Sequence, residues 1–414
     1  MINIAILGYG VVGSGVAEVC LMNNESIRRR AGKGIYIKKI LDLREFPDDH
    51  FSDRITHDVE EIISDSEISV VVETIGGAGF AYEISKRCLS AGKHVVTSNK
   101  ELVARHGPEL MNLAHQNGVN YLFEASVGGG IPIIRPLHKC LAANEIDHIT
   151  GILNGTTNYI LTRMEESGCS FQDALKEAQE LGFAEQNPSA DIDGIDACRK
   201  IAILSSIIFG EYIDSENIHT EGISNITIRD MAYARSFGSK LKLLGCMHRR
   251  AGKMADIIVA PMLLPDTHPV SVANGVFNAI MVNGNALGDA MFYGQGAGKL
   301  PTASAVVADI IECIMHMDNQ PHDISWDISG RENVIAHVDC PVKVLVRLRS
   351  EDNIDIAEQL FAPYGYEKTA RVFDDEIALV VGLNSKNQLT EQSWQVIMQK
   401  LGKLAISYIR IWQP

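Results

Sequence analysis

A chain of 414 residues is longer than one ordinary domain of about 150, so two or three domains are expected. Its 46% hydrophobic and 21% charged residues are the composition of a globular protein with a sizeable core. With 37 basic and 52 acidic side chains the net charge is −15, which argues against nucleic-acid and anionic-membrane partners, and no run of about 18 apolar residues offers a membrane span.

The opening segment has no basic flank and is too short for a signal peptide. Eight cysteines lie far apart, none of them in CxxC, so reduced thiols are expected rather than a disulfide framework or zinc site. A cytoplasmic protein is the expectation. Ile2–Leu7 is a short apolar run that suits a buried parallel strand. Gly8-Tyr9-Gly10-Val11-Val12-Gly13 follows at once, then a helical stretch over about 14–30. This is GxGxxG in its strand–turn–helix setting. Gly8 and Gly10 would permit a tight turn and close approach of a dinucleotide pyrophosphate. Gly13 would let the helix pack on the strand. Val11 and Val12 stand at the helix N-terminus, whose unpaired N–H groups and positive dipole end suit phosphates. A glycine turn with a packing role alone is the plain alternative.

A second strand, over about 36–41, ends in Asp42-Leu43-Arg44. Asp42 would accept hydrogen bonds from adenosine ribose hydroxyls and favour NAD, whereas Arg44 would pair with the 2′-phosphate of NADP. Asp42 lies further past Gly13 than the usual spacing of about 20 residues, and two solvated charges at a strand end would read the same way. Two more β-branched runs follow: Ser69–Glu73 before Thr74-Ile75-Gly76-Gly77, and His94–Thr97 before Ser98-Asn99-Lys100. Ligands of an open parallel sheet sit beyond the carboxyl ends of its strands, so Thr74, Gly76, Ser98 and Lys100 would line one crevice. Taken alone, Lys100 also reads as a solvated helix-start residue. Tyr121–Glu124 is a further expected strand, leading into Val127-Gly128-Gly129-Gly130-Ile131-Pro132.

Gly151–Asn158 is a polar, glycine-containing turn between a strand and a helix, able to orient a polar substrate or to cap the helix. Residues 182–188 read as a loop. A single helix is expected from about 191–193 through Ile208, with Ile201, Leu204 and Ile208 as its buried stripe. Asp193, Asp196 and Lys200 share another face. Plainly read, this is an acid-capped helix with a surface Asp196–Lys200 pair worth about 0.3–0.5 kcal/mol. Functionally read, it is a lysine held near a carboxylate in a cleft, with Glu185 and Asp191 as further acids for a cationic amine. Beyond Asp318–Asp323 the chain turns polar and restarts near Asn333. Strands over Val342–Leu348, Glu367–Phe373, Glu376–Gly382 and Ala405–Trp412, with helices over Asp355–Phe361 and Thr390–Leu401, make βαββαβ, a ferredoxin-like order.

Six motifs then resemble, in order over about 2–315, homoserine dehydrogenases of the shorter monofunctional type. They are Gly8–Gly13, Thr97–Lys100, Glu124–Pro132, Gly151–Asn158, Leu181–Glu185 with Asp191, Asp196 and Lys200, and Gly294–Gly298 with Pro301–Ser304. The resemblance implies an α/β chain in three parts: a Rossmann-type nucleotide-binding domain (1–130 plus about 295–320), an α+β catalytic and dimerisation domain (131–294), and a ferredoxin-like, ACT-type domain (333–414). It implies oxidation of L-homoserine to L-aspartate 4-semialdehyde by NAD or NADP, or the reverse reduction, in threonine and methionine biosynthesis. A homodimer or homotetramer would carry it out. In these terms Lys200 exchanges a proton with the substrate C4 oxygen and Asp196 orients it or a water. Glu185 holds the substrate amine, and Asp191, Gly182 and Thr156 are further substrate contacts.

By the same resemblance Lys100 lies near cofactor and substrate, and Gly296 closes over the cofactor. Glu124, Val127, Gly129 and Ile131 would bind Na+, mainly through main-chain carbonyls, with a structural loop as the alternative. The ACT-like tail implies threonine as an effector, yet the turn Arg349–Asn353 lacks the glycine such modules use, so a dimerising or vestigial role stands beside it. No cysteine has the neighbouring base and helix N-terminus that a thioester-forming semialdehyde dehydrogenase needs. Another amino-acid dehydrogenase, or a non-catalytic cofactor-binding sensor, are the competing readings.

Overall fold

The computed structural model describes residues 1–250, 254–317, 324–328, 334–349, 354–369 and 371–414. The chain divides into two compact units. The first holds Met1–Asn144, Ala202–Ser215 and Gly294–Arg331, and the second holds Glu145–Ile201, Glu216–Tyr293 and Glu332–Pro414.

The first unit is built on six parallel strands: β1 (Ile2–Leu7), β2 (Ile35–Leu41), β3 (Ile55–Thr56), β4 (Ile68–Glu73), β5 (His94–Thr97) and β6 (Tyr121–Leu122). Their spatial order is β3-β2-β1-β4-β5-β6. The order reverses between β1 and β4, the switch point of a doubly wound dinucleotide fold. Both strands are buried along nearly their whole length, which is why they read as continuous apolar runs and not as alternating ones. One core joins this sheet to α1 (Val11–Met22), α2 (Asn24–Ala31) and the long helix Lys299–Met315, through Ile4, Ile6, Val16, Ile27, Val306 and Ile310. Three further helices, α3 (Glu60–Ile63), α4 (Gly79–Ser90) and α5 (Lys100–Gln116), follow β3, β4 and β5.

Two local expectations change here. The single helix over 14–30 is two helices, because Asn23 adopts φ −110°, ψ 18°, closing α1 and starting α2. The strand over Tyr121–Glu124 stops at Leu122, and Glu124–Ser126 form a 3-10 turn because the Glu124 side chain is drawn back to cap a later segment.

The second unit carries a ten-stranded mixed sheet. Its strands are β7 (Ile146–Ile152), β8 (His219–Thr220), β9 (Ser239–Arg249), β10 (Ala255–Pro265), β11 (Phe277–Gly284), β12 (Gly288–Gln295), β13 (Val344–Arg349), β14 (Tyr366–Lys368), β15 (Glu376–Val381) and β16 (Ala405–Ile411). They run β12-β11-β7-β9-β10-β16-β13-β15-β14, with β8 attached to β10. The helices between β7 and β9 are α6 (Gly155–Ser167), α7 (Phe171–Glu180), α8 (Ser189–Ile192), α9 (Ile195–Phe209) and α10 (Ile228–Ser236). Only the first turns of α9, to Ile201, belong to this unit.

The segment from β13 to β16, with helices Ile354–Phe361 and Glu391–Leu401, has the ferredoxin-like order β16-β13-β15-β14 around a core of Val344, Val346, Phe361, Leu379 and Trp394. In the division into two compact units it falls within the second. β16 lies parallel to β10 through Met262↔Arg410 and Leu263↔Ile411, so residues 332–414 extend the middle sheet. A ladder of two residue pairs leaves no local pattern by which sequence could show it. The polar stretch 318–323, the restart at Asn333 and the turn 350–353 lie outside the described residues. Among the described residues no helix is long and apolar enough to cross a membrane.

Candidate active site

At the switch point, Gly8 leaves β1 with φ +90°, a conformation that favours glycine. A Cβ on Gly13 would stand 1.9 Å from the Gly8 carbonyl, so only glycine lets α1 start against the end of the strand. Gly10 differs: a Cβ there meets no atom within 4 Å. Nothing among the described residues demands glycine at that position, and the open cradle fits the close approach of a pyrophosphate beside the exposed Val11. Gly15 went unnoticed in the motif. A Cβ on it would lie 2.8 Å from the Lys299 carbonyl, so it seats α1 on the long helix, and a glycine inside a helical pattern was its only signal.

The two charges after β2 hold the loop together. Asp42 Oδ2 accepts from the Tyr9 amide at 2.7 Å, and Arg44 grips the same carboxylate through Nε and Nη2, both at 2.9 Å. The Arg44 guanidinium holds the Asp42 carboxyl well below the usual carboxylate range. Thr74, expected to face a ligand, turns inward: its hydroxyl lies 2.9 Å from the Leu7 carbonyl and 2.8 Å from that of Gly8, tying β4 to the glycine loop. Gly76 has open space around its Cα, and Ser98 is half-buried beyond β5.

Behind this crevice lies a network that the sequence reading did not single out. Glu73 is fully buried, accepting from the Ile75 amide at 2.6 Å and the Thr97 hydroxyl at 2.5 Å. Burial pushes its carboxyl up to about 7. Asn99 donates to the carbonyls of Ile75 (3.1 Å) and Gly77 (2.7 Å), and its Oδ1 caps α5 at the Leu102 amide, fixing where Lys100 begins that helix. An acid closing an apolar run was the signal for Glu73.

The glycine run after β6 is explained by packing. Gly129 has φ +56°, and a Cβ on it would lie 2.3 Å from the Gly296 carbonyl. The Gly130 amide donates to the Gln295 carbonyl at 3.1 Å. Segments 128–131 and 294–301 therefore close on each other within the first unit. The Glu124 carboxylate accepts from the amides of Ile133 (2.6 Å), Ile134 (2.9 Å) and Arg135 (2.8 Å), and the Glu124 amide donates to Asp309 at 2.8 Å. Asp309 pairs with Arg135, and burial pushes its carboxyl up to about 7.

In the second unit, Asn154 caps α6 by accepting from the Thr157 amide at 2.8 Å. Its Nδ2 donates to Asp191 Oδ1 at 2.7 Å and to Asp196 Oδ2 at 2.9 Å. Lys200 Nζ donates to the same Asp196 oxygen and to the Leu153 carbonyl, both at 2.8 Å. Asn154, Asp196 and Lys200 are all buried. The expected surface pair is thus a buried one, whose desolvation has to be offset by the surrounding hydrogen bonds.

The expected single helix is broken here as well. Gly194 takes φ +82°, separating α8 from α9. In a straight helix Asp191 and Asp196, five apart, would point well away from each other, and the turn is what brings both to one amide. Asp193, expected beside Asp196 and Lys200, is exposed in that turn. Thr156 donates to the Phe183 carbonyl at 2.7 Å, and Gly182 ends α7 with φ +75°, so both shape the 182–188 loop. Glu185 is exposed on it, its carbonyl bonded to Gln179 at 3.1 Å. Asn154 is the residue missed as a site member. Its capping position was legible, but not the acids 37 and 42 residues away that it holds.

All eight cysteines are free thiols, six of them buried. Burial pushes Cys20, Cys88 and Cys246 up to about 12, the reverse of an activated thiolate.

A doubly wound sheet with an open glycine cradle at its switch point places the chain among dinucleotide-binding proteins. Comparison with known proteins narrows that class. Residues 8–124 match the homoserine dehydrogenase NAD-binding domain and residues 132–311 the homoserine dehydrogenase family model. The chain is 44% identical over 366 residues to the homoserine dehydrogenase of Pseudomonas aeruginosa, covering 87% of this chain and 84% of that one. A crystal structure of a homoserine dehydrogenase from Thiobacillus denitrificans aligns with TM-score 0.90 and 35% identity over 100% of this chain and 98% of its own. A hyperthermophilic archaeal homoserine dehydrogenase in complex with NADPH aligns with TM-score 0.65 and 30% identity over 75% of this chain and 97% of its own. The chain belongs to the homoserine dehydrogenase family, a family of NAD(P)-dependent oxidoreductases.

Proposed function

We propose that this chain interconverts L-homoserine and L-aspartate 4-semialdehyde, with Lys200 as the group that exchanges a proton with the C4 oxygen. The buried cluster of Lys200, Asp196, Asn154 and Asp191 carries the reading. The nicotinamide supplies hydride transfer when bound, so the protein has to orient two carbons and manage one proton. Two fixed acceptors, the Asp196 carboxylate and the Leu153 carbonyl, determine where Nζ sits. In oxidation the hydroxyl proton passes to Lys200 Nζ, and in reduction it returns to the oxygen. Asn154 donates to both carboxylates and so holds Asp191 and Asp196 close in spite of their like charge. Asp191 and Glu185 supply negative charge for the substrate ammonium, and Thr156 and Gly182 shape the loop that carries Glu185.

On the cofactor side, the cradle of Gly8, Gly10, Val11, Val12 and Gly13 takes the pyrophosphate, with Gly76, Ser98, Lys100 and Gly296 as further contacts. Thr74, its hydroxyl spent on β1, shapes the cradle instead. NADP(H) is the preferred cofactor in this reading. Both oxygens of Asp42 are engaged by Tyr9 and Arg44, while the Arg44 side chain is 61% exposed and suited to a 2′-phosphate.

The reading includes Na+ at the carbonyls of Glu124, Val127, Gly129 and Ile131. In its support, no backbone amide among the described residues bonds to the carbonyls of Val127, Gly129 or Ile131. The ferredoxin-like order of the last eighty residues supports an ACT-type segment. In this reading the segment takes threonine as effector or serves dimerisation, in a cytoplasmic homodimer or homotetramer.

The test is nicotinamide absorbance with L-homoserine and NAD+ or NADP+ in turn. Turnover, faster with NADP+, is expected. Folded protein that binds NADPH yet oxidises a different amino acid and not homoserine would overturn the reading.

A further inference from the structure

Asp191 and Asp196 reach one amide only because the chain turns at Asp193–Gly194, and residues 219–223 grip that turn from outside. A Cβ on Gly222 would stand 2.2 Å from the Ile192 carbonyl, and the Ile223 amide donates to that carbonyl at 2.8 Å. From the other side, a Cβ on Gly194 would lie 3.0 Å from Thr220 and 3.1 Å from the Glu221 carbonyl. Most of these contacts are backbone against backbone, so the turn has no slack to absorb a shift of the strap.

The strap is itself fastened to the C-terminal segment by a ring of side chains, of which Arg410 and Glu391 are buried and Glu221, His219 and His337 partly buried. Glu221 accepts from Arg410 of β16 at 2.5 Å, and Arg410 also holds Glu391, at the start of the last helix, at 2.7 and 3.1 Å. Glu391 lies 3.5 Å from His337, whose ring stacks on His219 with centroids 3.6 Å apart and planes 4° apart. His219 returns to Glu221 at 2.8 Å, and the Glu221 amide donates to the Val259 carbonyl of β10 at 2.8 Å. Arg410 and Glu391 are almost completely buried. The Arg410–Glu391 pair is buried, and breaking it would leave an uncompensated charge, so this part of the ring holds one geometry or gives way.

We propose that residues 219–222 are a strap through which the C-terminal segment sets the position of the Asp191–Asp196 pair, making Glu221, Arg410 and Gly222 positioning residues for the substrate site. The proposal rests on the reading of that cluster as the substrate site. It gives the ferredoxin-like segment a mechanical route to catalysis: a ligand that displaces β16 or the start of the last helix moves the Ile192–Gly194 turn.

The experiment uses the full chain with Arg410→Met, which opens the ring, and Gly222→Ala, which leaves the ring intact and pushes on Ile192. Homoserine KM rises or kcat falls by about 2- to 30-fold in both, the range that such couplings span, while NADPH affinity stays within about twofold. A merely structural role would lower the unfolding midpoint and leave the kinetics of the folded fraction alone. Hydrogen exchange over 189–201 reads the strap without substrate, and faster exchange is expected in both variants. Unchanged exchange there, or unchanged homoserine kinetics in folded protein, overturns the strap. Faster exchange in a chain whose wild type does not turn over homoserine overturns the substrate reading and leaves the strap standing. Should Arg410→Met not fold, Gly222→Ala decides alone.

Discussion

Replacing Lys200 with methionine keeps an unbranched side chain, one atom shorter, while removing its charge, its exchangeable proton and its 2.8 Å bonds to Asp196 and to the Leu153 carbonyl. Two losses of different kind follow. General acid–base catalysis is worth about 10²–10⁴ in rate, or roughly 3–5 kcal/mol of barrier, so kcat should fall by that factor and homoserine KM should move much less. Stability falls for another reason. The pair is buried, its side chains only 8% and 4% exposed, and breaking such a pair costs about 3–5 kcal/mol because one charge is left behind. Asp196 keeps the Asn154 amide at 2.9 Å, which puts the loss near the lower end, about 3 kcal/mol. A second variant, Lys200→Met with Asp196→Asn, removes the orphaned charge and should recover most of that stability with no recovery of kcat. Steady-state kinetics with L-homoserine, beside denaturant unfolding, separate the two effects. A kcat within about twofold of wild type, with the change confined to KM, would refute the proton-transfer role.

Gly13→Ala puts a methyl 1.9 Å from the Gly8 carbonyl, so the cradle must open. NADPH affinity in a fluorescence titration should drop at least about tenfold, and an unchanged Kd would count against the cradle. Asn154→Asp retains the α6 cap but sets a third carboxylate against two, whereas Asn154→Ala loses the cap at about 1 kcal/mol. Activity and stability should therefore both fall further in Asn154→Asp than in Asn154→Ala, and the opposite ranking would mean that the amide does not bridge the acids. Burial raises Glu73 from 4.5 to about 7, so the folded chain binds this proton more tightly than the unfolded one. That contribution, about 3 kcal/mol, is fully present below pH 4.5 and is lost as pH rises through 7. Unfolding free energies measured across pH 4.5–7.5 should slope less in Glu73→Gln, and parallel slopes would contradict the shift.

What the sequence determined by itself lies close together along the chain. An apolar run, three glycines and a helix within residues 2–22 were enough for the cradle, because turn conformation and helix start depend on residues a few positions apart. The i, i+4 spacing likewise put Lys200 beside Asp196, and alternating short elements showed βαββαβ. Tertiary structure alone decided the rest. It buried the lysine pair, turned Asp191 back around Gly194, recruited Asn154, and spent Thr74 on holding the glycine loop. It also joined the C-terminal strands to the middle sheet through two residue pairs. Periodicity and turn chemistry are set by near neighbours before the chain packs. Partners of buried polar groups, and ladders between distant strands, exist only after packing has brought remote segments together, and no local pattern encodes them.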